Sequence, residues 1–366
     1  MVTTSPDPID RTFDRMERIT AVGTVLSALE TLSRPDMLRH DGLFSWDVAR
    51  TRSAAWSRRP LSTVLGVFDY PAVTGIHAGR LLAATTLLAG TSRRRRALCV
   101  AGLAGTTWAL GIRTNYGADG SDHMAILTYI ASAVEKAFGD DERVREACLW
   151  FLAAEACLSY STAGLAKLAS PVWRNGQAMT GIFRTRTYGH EWSAGMLRRY
   201  PVLAKVGCWS VIVAESLFPL VLVLPAEAAW PLLLLGLVFH VGNAHLMGLN
   251  RFLWAFSGTY PAVVWVSRHM DASDPARFAA FAQDRLGLGR SPAAAPRTER
   301  AGGAAKAGGA GSVLRPIALA AARSAAVTIA NAASRAAVAR VNARTAARTA
   351  TPAAGPAPVP ALAVTR

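Results

Sequence analysis

Long apolar runs separated by short polar connections fill most of residues 16–268. A helix needs about 20 mostly apolar residues to cross a bilayer. Eight segments approach that length: 16–33, 71–90, 97–114, 121–138, 147–166, 202–224, 229–249 and 251–268. The pattern predicts an all-α fold, a polytopic transmembrane helical bundle of about eight spans.

Polar and low-complexity stretches mark the limits of this bundle. Residues 1–15 form a polar N-terminal segment, and residues 34–60 and 167–200 contain too few apolar positions for a span. Residues 269–366 are rich in Ala, Arg and Pro. Because such a composition cannot bury a core, we predict a disordered cytoplasmic tail, with one basic helix at 313–346.

The composition excludes an ordinary water-soluble domain. Hydrophobic residues make up 51% of the chain and charged residues 17%, against about 25% charged in a typical soluble protein. The four cysteines lie in apolar stretches without CxxC spacing and are expected to be buried thiols. The first residues are acidic, so no cleavable signal peptide is expected.

The net charge of +16 is concentrated at two places. One is the run Arg93–Arg96 beside an apolar segment, and the other is the tail. Basic runs next to spans contact anionic lipid on the cytoplasmic side, so lipid, and not nucleic acid, is the expected partner. From residue 301 onward there is no acidic residue, and the basic residues are Lys306, Arg315, Arg323, Arg335, Arg340, Arg344, Arg348 and Arg366.

The orientation of the bundle follows from the same charges. With Arg93–Arg96 in the cytoplasm, both termini are cytoplasmic and Lys167 lies near the outer face. The basic residues of 174–199 then lie outside, which opposes the positive-inside tendency, so the two counts nearly cancel. We predict the orientation with both termini in the cytoplasm.

Ionisable groups inside apolar runs are the candidates for function, because each costs at least about 2.5 kcal/mol at membrane depth. Lys167 ends the fifth run, either as a lysine that reaches the interface or as a partly desolvated amine acting as a base. His240 and Asn243 share a helix face. They either bond between helices or take part in chemistry.

Other polar residues admit similar alternatives. Glu155 and Glu215 can pair with a His or Arg of a neighbouring helix, and His77 and Arg80 can supply such a partner. His123 follows a polar turn that caps the fourth span. A metal site built from His77, His123, His240, His245 and the glutamates lacks any HExxH or ExxH spacing, so no metal is predicted.

Three of these segments resemble the HTTM family, the membrane domain shared with vitamin K-dependent gamma-carboxylase. They are 115–123, which ends at His123; 163–179, which contains Lys167 and Trp173; and 239–246, which contains His240 and Asn243 and is followed by Phe252. The resemblance extends in order over roughly residues 12–268. It implies a bacterial membrane protein with a similar helical bundle.

The resemblance also implies a chemistry. A lysine at the Lys167 position deprotonates vitamin K hydroquinone, oxygen addition generates a strong base, and this base removes a γ-proton from a peptide glutamate before carbon dioxide adds. His123, His240 and Asn243 then belong to the catalytic pocket. Trp173, Phe252 and Glu215 are assigned to binding of the cofactor, a reduced quinone.

Two departures put glutamate carboxylation in doubt. The carboxylase has two adjacent lysines, whereas Ala166 precedes Lys167 here. The carboxylase's lumenal domain follows its membrane part, and here that place holds the Ala/Arg-rich tail. Three hypotheses remain: a quinol-dependent membrane enzyme, a non-catalytic bundle acting in immunity, sensing or transport, and a protein whose basic tail is its functional part. The expected location is the cell membrane of a bacterium.

Overall fold

A computed structural model describes residues 7–53, 56, 58–113 and 119–269. Within those ranges the chain forms helices and turns and contains no strand, so the predicted all-α class is confirmed there. The predicted disordered tail and the helix at 313–346 lie outside the described residues, as do residues 114–118 of the polar turn.

Fourteen α-helices make up the described part of the chain. Short 3₁₀ helices at Pro35–Leu38, Arg50–Arg52, Gly66–Phe68 and Phe218–Leu222 connect or extend some of them. The α-helices are α1 (Pro8–Leu32), α2 (Trp46–Ala49), α3 (Leu61–Leu65), α4 (Ala72–Ala89), α5 (Arg93–Arg113), α6 (Gly120–Ala137), α7 (Glu142–Ala169), α8 (Pro171–Arg174), α9 (Gln177–Phe183), α10 (Glu191–Arg199), α11 (Pro201–Leu217), α12 (Ala226–Met247), α13 (Asn250–Ser257) and α14 (Tyr260–His269).

Four of the described helices are long and apolar enough to cross a membrane. They are Ala72–Ala89, Glu142–Ala169, Pro201–Leu222 and Glu227–Met247, and they correspond to the predicted spans 71–90, 147–166, 202–224 and 229–249. Helices α1, α5 and α6 have the length of a span but not its apolar composition. The structure therefore supports a membrane protein with four candidate spans.

The outer surface of these helices is apolar. Leu82 of α4, Val202 of α11 and Leu234 of α12 each expose more than half of their side chains. Contiguous apolar surface of this kind is unfavourable in water and costs nothing against lipid tails. The exposed leucines and valines thus agree with the composition of the spans.

The predicted single span over 251–268 is wrong. The structure divides this segment into α13 and α14, of 8 and 10 residues, and neither is long enough to cross a bilayer. The break falls at Gly258 and Thr259. A Cβ at Gly258 would collide with Thr20 Oγ1 of α1, and the buried Thr259 hydroxyl donates to the Phe256 carbonyl at 2.7 Å.

Helix α7 is the centre of the bundle. Leu149, Leu152 and Ala156 on this helix are fully buried, and α7 packs against α6, α11 and α14. Short connections join α4 to α5 and α6 to α7, so successive helices run in alternating directions. As a result the start of α7 lies at the same end of the bundle as the start of α1, and the end of α7 lies at the opposite end.

A network of ion pairs lies at the end of the bundle where α1 and α7 begin. At its centre the fully buried Glu17 accepts from Arg96 Nε at 2.5 Å and lies 3.2 Å from Lys136 Nζ. Lys136 also pairs with the fully buried Glu135. We call this group the ion network; its members are Asp7, Asp10, Asp14, Glu17, Arg18, Arg96, Glu135, Lys136 and Arg145.

Arg145 of α7 connects the network to the N-terminal segment. Its guanidinium pairs with Asp7 and Asp10, each at 2.7 Å, and with Glu135 at 3.2 Å. Partial burial raises the pKa of the Asp7 carboxyl, but the Ile9 N–H and Arg145 outweigh it and hold that pKa below its ordinary value. The first helix accordingly begins at Pro8, ahead of the predicted start at residue 16.

The network also revises the interpretation of the run Arg93–Arg96. The side chain of Arg96 turns inward to Asp14 and Glu17. Arg93, Arg94 and Arg95 are exposed and are the members of the run that remain accessible to lipid headgroups.

Candidate functional site

Lys167 and Glu215 form an ion pair between α7 and α11. Lys167 Nζ lies 2.6 Å from Glu215 Oε2, and the two side chains are 20% and 7% exposed. The sequence analysis selected both residues, on different spans, without pairing them. The structure brings them together across 48 positions of the chain.

Gly164 allows this pair to form. It lies one helical turn before Lys167 on α7, and a Cβ there would be 2.5 Å from the Ser216 backbone N and 2.6 Å from Ser216 Oγ. No side chain fits at that distance, so α7 and α11 approach each other through the glycine. The approach places Glu215 next to the end of α7, where the lysine side chain reaches it.

Trp173 covers the same ammonium group from the other side. Lys167 Nζ lies 5.2 Å from the centre of the Trp173 ring, within the range of a cation–π contact. Helix α8, which carries Trp173, is held against α11 because Trp209 Nε1 donates to the Arg174 carbonyl at 3.1 Å. Gly176 follows with φ +88°, a value that favours glycine, and a Cβ at this position would collide with the Lys205 backbone.

Two tyrosines and a histidine form a buried hydrogen-bonded chain one to two turns further into α7. Tyr160 Oη lies 2.6 Å from His240 Nε2 and 2.8 Å from Tyr260 Oη. The Tyr160 ring stacks on Phe218 with centroids 3.9 Å apart. A Cβ at Gly236 would collide with Tyr260 Oη, so this glycine of α12 makes room for the chain.

His240 keeps one unused hydrogen-bonding position. Its side chain is 2% exposed, and Nδ1 has no partner among the described residues although Nε2 is bonded to Tyr160. A buried polar atom without a partner costs about 1–3 kcal/mol, so it is unusual in a packed bundle. The imidazole can therefore accept or donate one more hydrogen bond to a bound molecule.

An aromatic column runs from His240 to Phe252. The His240 ring stacks on Phe256 with centroids 4.8 Å apart, and Phe256 stacks on Phe252 at 5.9 Å. A Cβ at Gly120, the first residue of α6, would be 3.5 Å from the Phe252 ring. Phe252 thus lies between the histidine and the start of α6.

The structure does not give His123 or Asn243 a comparable place. His123 is half-buried in the first turn of α6, and its backbone N–H donates to the Asp119 carbonyl at 3.3 Å. The polar turn caps α6, as predicted, and the residue that does so is Asp119, whose side chain accepts from the Ser121 N–H. Asn243 is half-buried on α12, where its backbone carbonyl accepts from the Leu249 N–H at 3.2 Å.

Six residues form what we call the Lys167 site, and one face of α7 joins them. Tyr160, Gly164 and Lys167 have the i, i+4, i+7 spacing of a helix face, and Glu215 and Phe218 are one turn apart on the facing segment. The site combines a charged pair, two hydroxyls and an imidazole, which are the groups that bind and transfer protons. Its members are Lys167, Glu215, Trp173, Tyr160, His240 and Tyr260.

The sequence analysis missed both tyrosines. A tyrosine in an apolar run is most often a packing residue, and only the position of its hydroxyl distinguishes a bonded chain from a core contact. The proposed pairing partner Arg80 instead donates to Thr106 at 3.0 Å and Thr107 at 2.7 Å of α5. None of the histidines considered for a metal site belongs to a group of three ligand atoms in the described chain.

Comparisons with known proteins add no match. No family model, no curated protein and no solved structure matches this chain. The functional interpretation therefore rests on the geometry of the Lys167 site and on the family resemblance of its segments.

Proposed function

We propose that this chain is an integral membrane enzyme that removes a proton from a lipid-soluble quinol at the Lys167 site. The observation that carries the proposal is the poorly exposed pair of Lys167 and Glu215, 2.6 Å apart. About two turns away on α7, Tyr160 bonds to a buried imidazole that has an unused nitrogen. Proton-handling groups at membrane depth are costly and are functional candidates by default. The proposed location is a bacterial cell membrane, with both termini in the cytoplasm.

The pair changes the role that the resemblance implies for Lys167. A lysine in an ion pair is an ammonium and has no free lone pair, whereas the carboxylate of Glu215 can accept a proton. In the proposed step the quinol O–H bond breaks, its proton moves to Glu215, and the ammonium of Lys167 stabilises the oxyanion that forms. The charge of the site is conserved, and the ammonium and the carboxylate act as one unit.

The remaining members of the site suit binding of the same class of molecule. An apolar quinol can enter from the bilayer between the helices, and the Trp173 ring offers it an aromatic face. The Tyr160–His240–Tyr260 chain offers hydrogen bonds to its oxygens. His123 and Asn243 keep the roles that the HTTM resemblance implies for them, as pocket residues of this proposal.

Quinol turnover in nanodiscs tests the proposal. The purified protein receives reduced vitamin K and oxygen, and quinol consumption and epoxide formation are followed. We expect Lys167→Ala and Glu215→Gln each to lower turnover by at least 100-fold. Lys205→Ala is the matched control, because this lysine is exposed at the start of α11 and should not affect turnover.

The result that would overturn the proposal is no turnover by folded wild-type protein under conditions in which a true carboxylase works. Equal turnover by wild type and both site variants would overturn it as well. The protein would then be catalytic at another site or would not be catalytic.

A non-catalytic bundle is the second candidate, and one observation favours it. The Lys167 ammonium already has a charged partner in Glu215 and an aromatic neighbour in Trp173, as in a purely structural ion pair. Apolar residues can replace a structural pair without loss of stability. If the double variant Lys167→Met with Glu215→Leu is as stable and as active in cells as wild type, the pair is structural.

A further inference from the structure

A second group of polar side chains lies outside the Lys167 site, in the connection between α1 and α4. His40, Asp47 and Asp69 each offer one ligand atom, and these atoms lie within 4.8 Å of one another. They come from three separate segments: a turn, the short helix α2, and the residue after the 3₁₀ helix Gly66–Phe68. Neither the sequence analysis nor the proposed function assigns them a role.

Each of the three residues follows closely on a buried residue that fixes its position. Asp47 follows Trp46, and Asp69 follows Phe68; the two aromatic rings pack with centroids 5.1 Å apart. His40 follows the buried Leu38 by two residues. The ligand atoms are thus presented on a rigid base and not on a freely moving loop.

Arg113 holds two of these segments together through hydrogen bonds. This arginine is 4% exposed, and its guanidinium donates to the Phe68 carbonyl at 3.0 Å and to the Leu38 carbonyl at 3.2 Å. The turn that carries His40 is also tight, because a Cβ at Gly42 would collide with the Asp36 and Met37 carbonyls. The separation between His40 and Asp69 is therefore set by the fold.

We propose that His40, Asp47 and Asp69 form a binding site for a first-row divalent cation of the zinc class. One imidazole nitrogen and two carboxylate oxygens are a ligand set that such ions accept, with further positions left for water. Tetrahedral zinc with bonds of about 2.1 Å places its ligand atoms about 3.4 Å apart. The three atoms already lie within 4.8 Å of one another, so side-chain rotations can bring them to that spacing, and the exposed His40 leaves room for water ligands.

The two carboxylates of the group favour a cation, and neighbouring arginines compete with it. Two carboxylates held close together repel each other, and bound positive charge relieves the repulsion. At present His40 Nδ1 lies 2.6 Å from Asp47 Oδ2, and Arg50 pairs with Asp47 Oδ1 at 2.6 Å. A metal ion would replace the contact between His40 and Asp47 after the two groups move apart, and Arg50 would compete with it for Asp47.

Zinc titration of the full chain tests this site. The protein, purified without a polyhistidine tag and stripped of metal, is titrated with Zn²⁺ by calorimetry. We expect one saturable site that His40→Ala and Asp69→Asn each weaken at least tenfold. Arg50→Gln should strengthen binding severalfold, because it removes the competing cation. Asp41→Asn is the control: it is exposed and adjacent to His40 but outside the group, and it should leave the affinity unchanged.

Cobalt provides an independent readout. Co²⁺ bound at the site should show the visible absorption of a low-symmetry protein complex, and His40→Ala should abolish that absorption. The thermal midpoint of metal-free His40→Ala should equal that of metal-free wild type, because His40 lies at the surface. The absence of saturable Zn²⁺ binding, or equal binding by wild type, His40→Ala and Asp69→Asn, would overturn the proposal.

Discussion

The ion network and the Lys167 site lie at opposite ends of α7 and differ in how many charged partners their buried groups have. Arg145 and Lys167 are separated by about 33 Å along the helix axis, which is close to the thickness of a bilayer's hydrocarbon core. In the ion network each buried carboxylate has two cationic neighbours. In the Lys167 site one lysine faces one glutamate, and a buried imidazole nitrogen has no partner in the described chain.

This difference underlies the separate roles that we propose for the two regions. A network with several partners for each charge holds α1, α5, α6 and α7 in register and leaves little capacity for a ligand. The Lys167 site has few partners for its polar groups and an unused nitrogen, so it contributes less to the stability of the fold than fully paired groups would. This pattern is expected where a molecule binds. Substitutions in the two regions should therefore have different consequences.

The largest expected effect is on stability, at Glu17 of the ion network. Glu17→Gln leaves Arg96 and Lys136 without their shared carboxylate in a buried position, which should lower the free energy of unfolding by about 3 kcal/mol. Denaturation in detergent micelles measures it. Glu30→Gln on the same helix is the matched control, because Glu30 is exposed and its loss should leave stability unchanged. Equal effects of the two substitutions would show that the network does not hold the bundle together.

The next largest loss of stability is expected at Gly164, where α7 and α11 approach each other. Gly164→Ala forces a methyl group against the Ser216 backbone N, so α7 and α11 must move apart. We expect a loss of about 1–3 kcal/mol, as for other overpacked positions, together with reduced quinol turnover. Gly102→Ala on α5 is the control: a Cβ there meets no atom within 4 Å, and alanine favours the helix. A stable, fully active Gly164→Ala protein would contradict the role assigned to this contact.

The degree to which these features could be predicted depends on how local they are. The bounds of α4 and α7 were predicted within a few residues, because the length of an apolar run reports a helix directly. The break at Gly258 was missed even though Ser257, Gly258, Thr259 and Pro261 interrupt the apolar run 251–268 and are a local signal for a turn. In the structure Gly258 also lies against Thr20 of another helix. Lys167 and Glu215 were both selected as costly charges in apolar runs.

The pairing of Lys167 with Glu215 could not be predicted, and neither could the ion network. Both depend on which faces of distant helices meet, and a single sequence carries no signal for that. The His40 group was missed for the same reason: its three residues are spread over 30 positions of a polar connection without a metal-binding spacing. The cost of a buried charge identifies the residue, whereas its partner follows only from the tertiary packing.

A smaller effect distinguishes the Lys167 site from the rest of the bundle through a single hydroxyl group. Tyr160→Phe removes the oxygen that joins His240 to Tyr260 and keeps the ring against Phe218. Tyr129→Phe removes a buried hydroxyl that bonds to Thr24 at 2.7 Å, away from the Lys167 site. Both substitutions should cost about 1–2 kcal/mol of stability.

Only Tyr160→Phe should also change quinol turnover, because only this hydroxyl belongs to the hydrogen-bonded chain of the site. Turnover at saturating quinol, compared with the stability of the same two variants, measures the difference. Parallel losses of turnover in both variants would mean that activity follows stability and that the tyrosine chain has no separate role.

The smallest effect on stability, and the one that decides the orientation of both regions, is expected at Arg93–Arg95. These three side chains are exposed at the network end, so their joint substitution by Gln should leave the unfolding free energy unchanged. If they hold that end in the cytoplasm, their loss should produce a mixed population of orientations, because the exposed Arg184, Arg186, Arg198 and Arg199 then dominate from the other end.

A single cysteine at position 186, in a chain whose own cysteines are replaced, reports the orientation through an impermeant thiol reagent added to intact cells. Labelling before the substitution and reduced labelling after it would place the Lys167 site and the His40 group at the outer face. Absence of labelling in the parent chain would place them in the cytoplasm, and the termini would then lie outside.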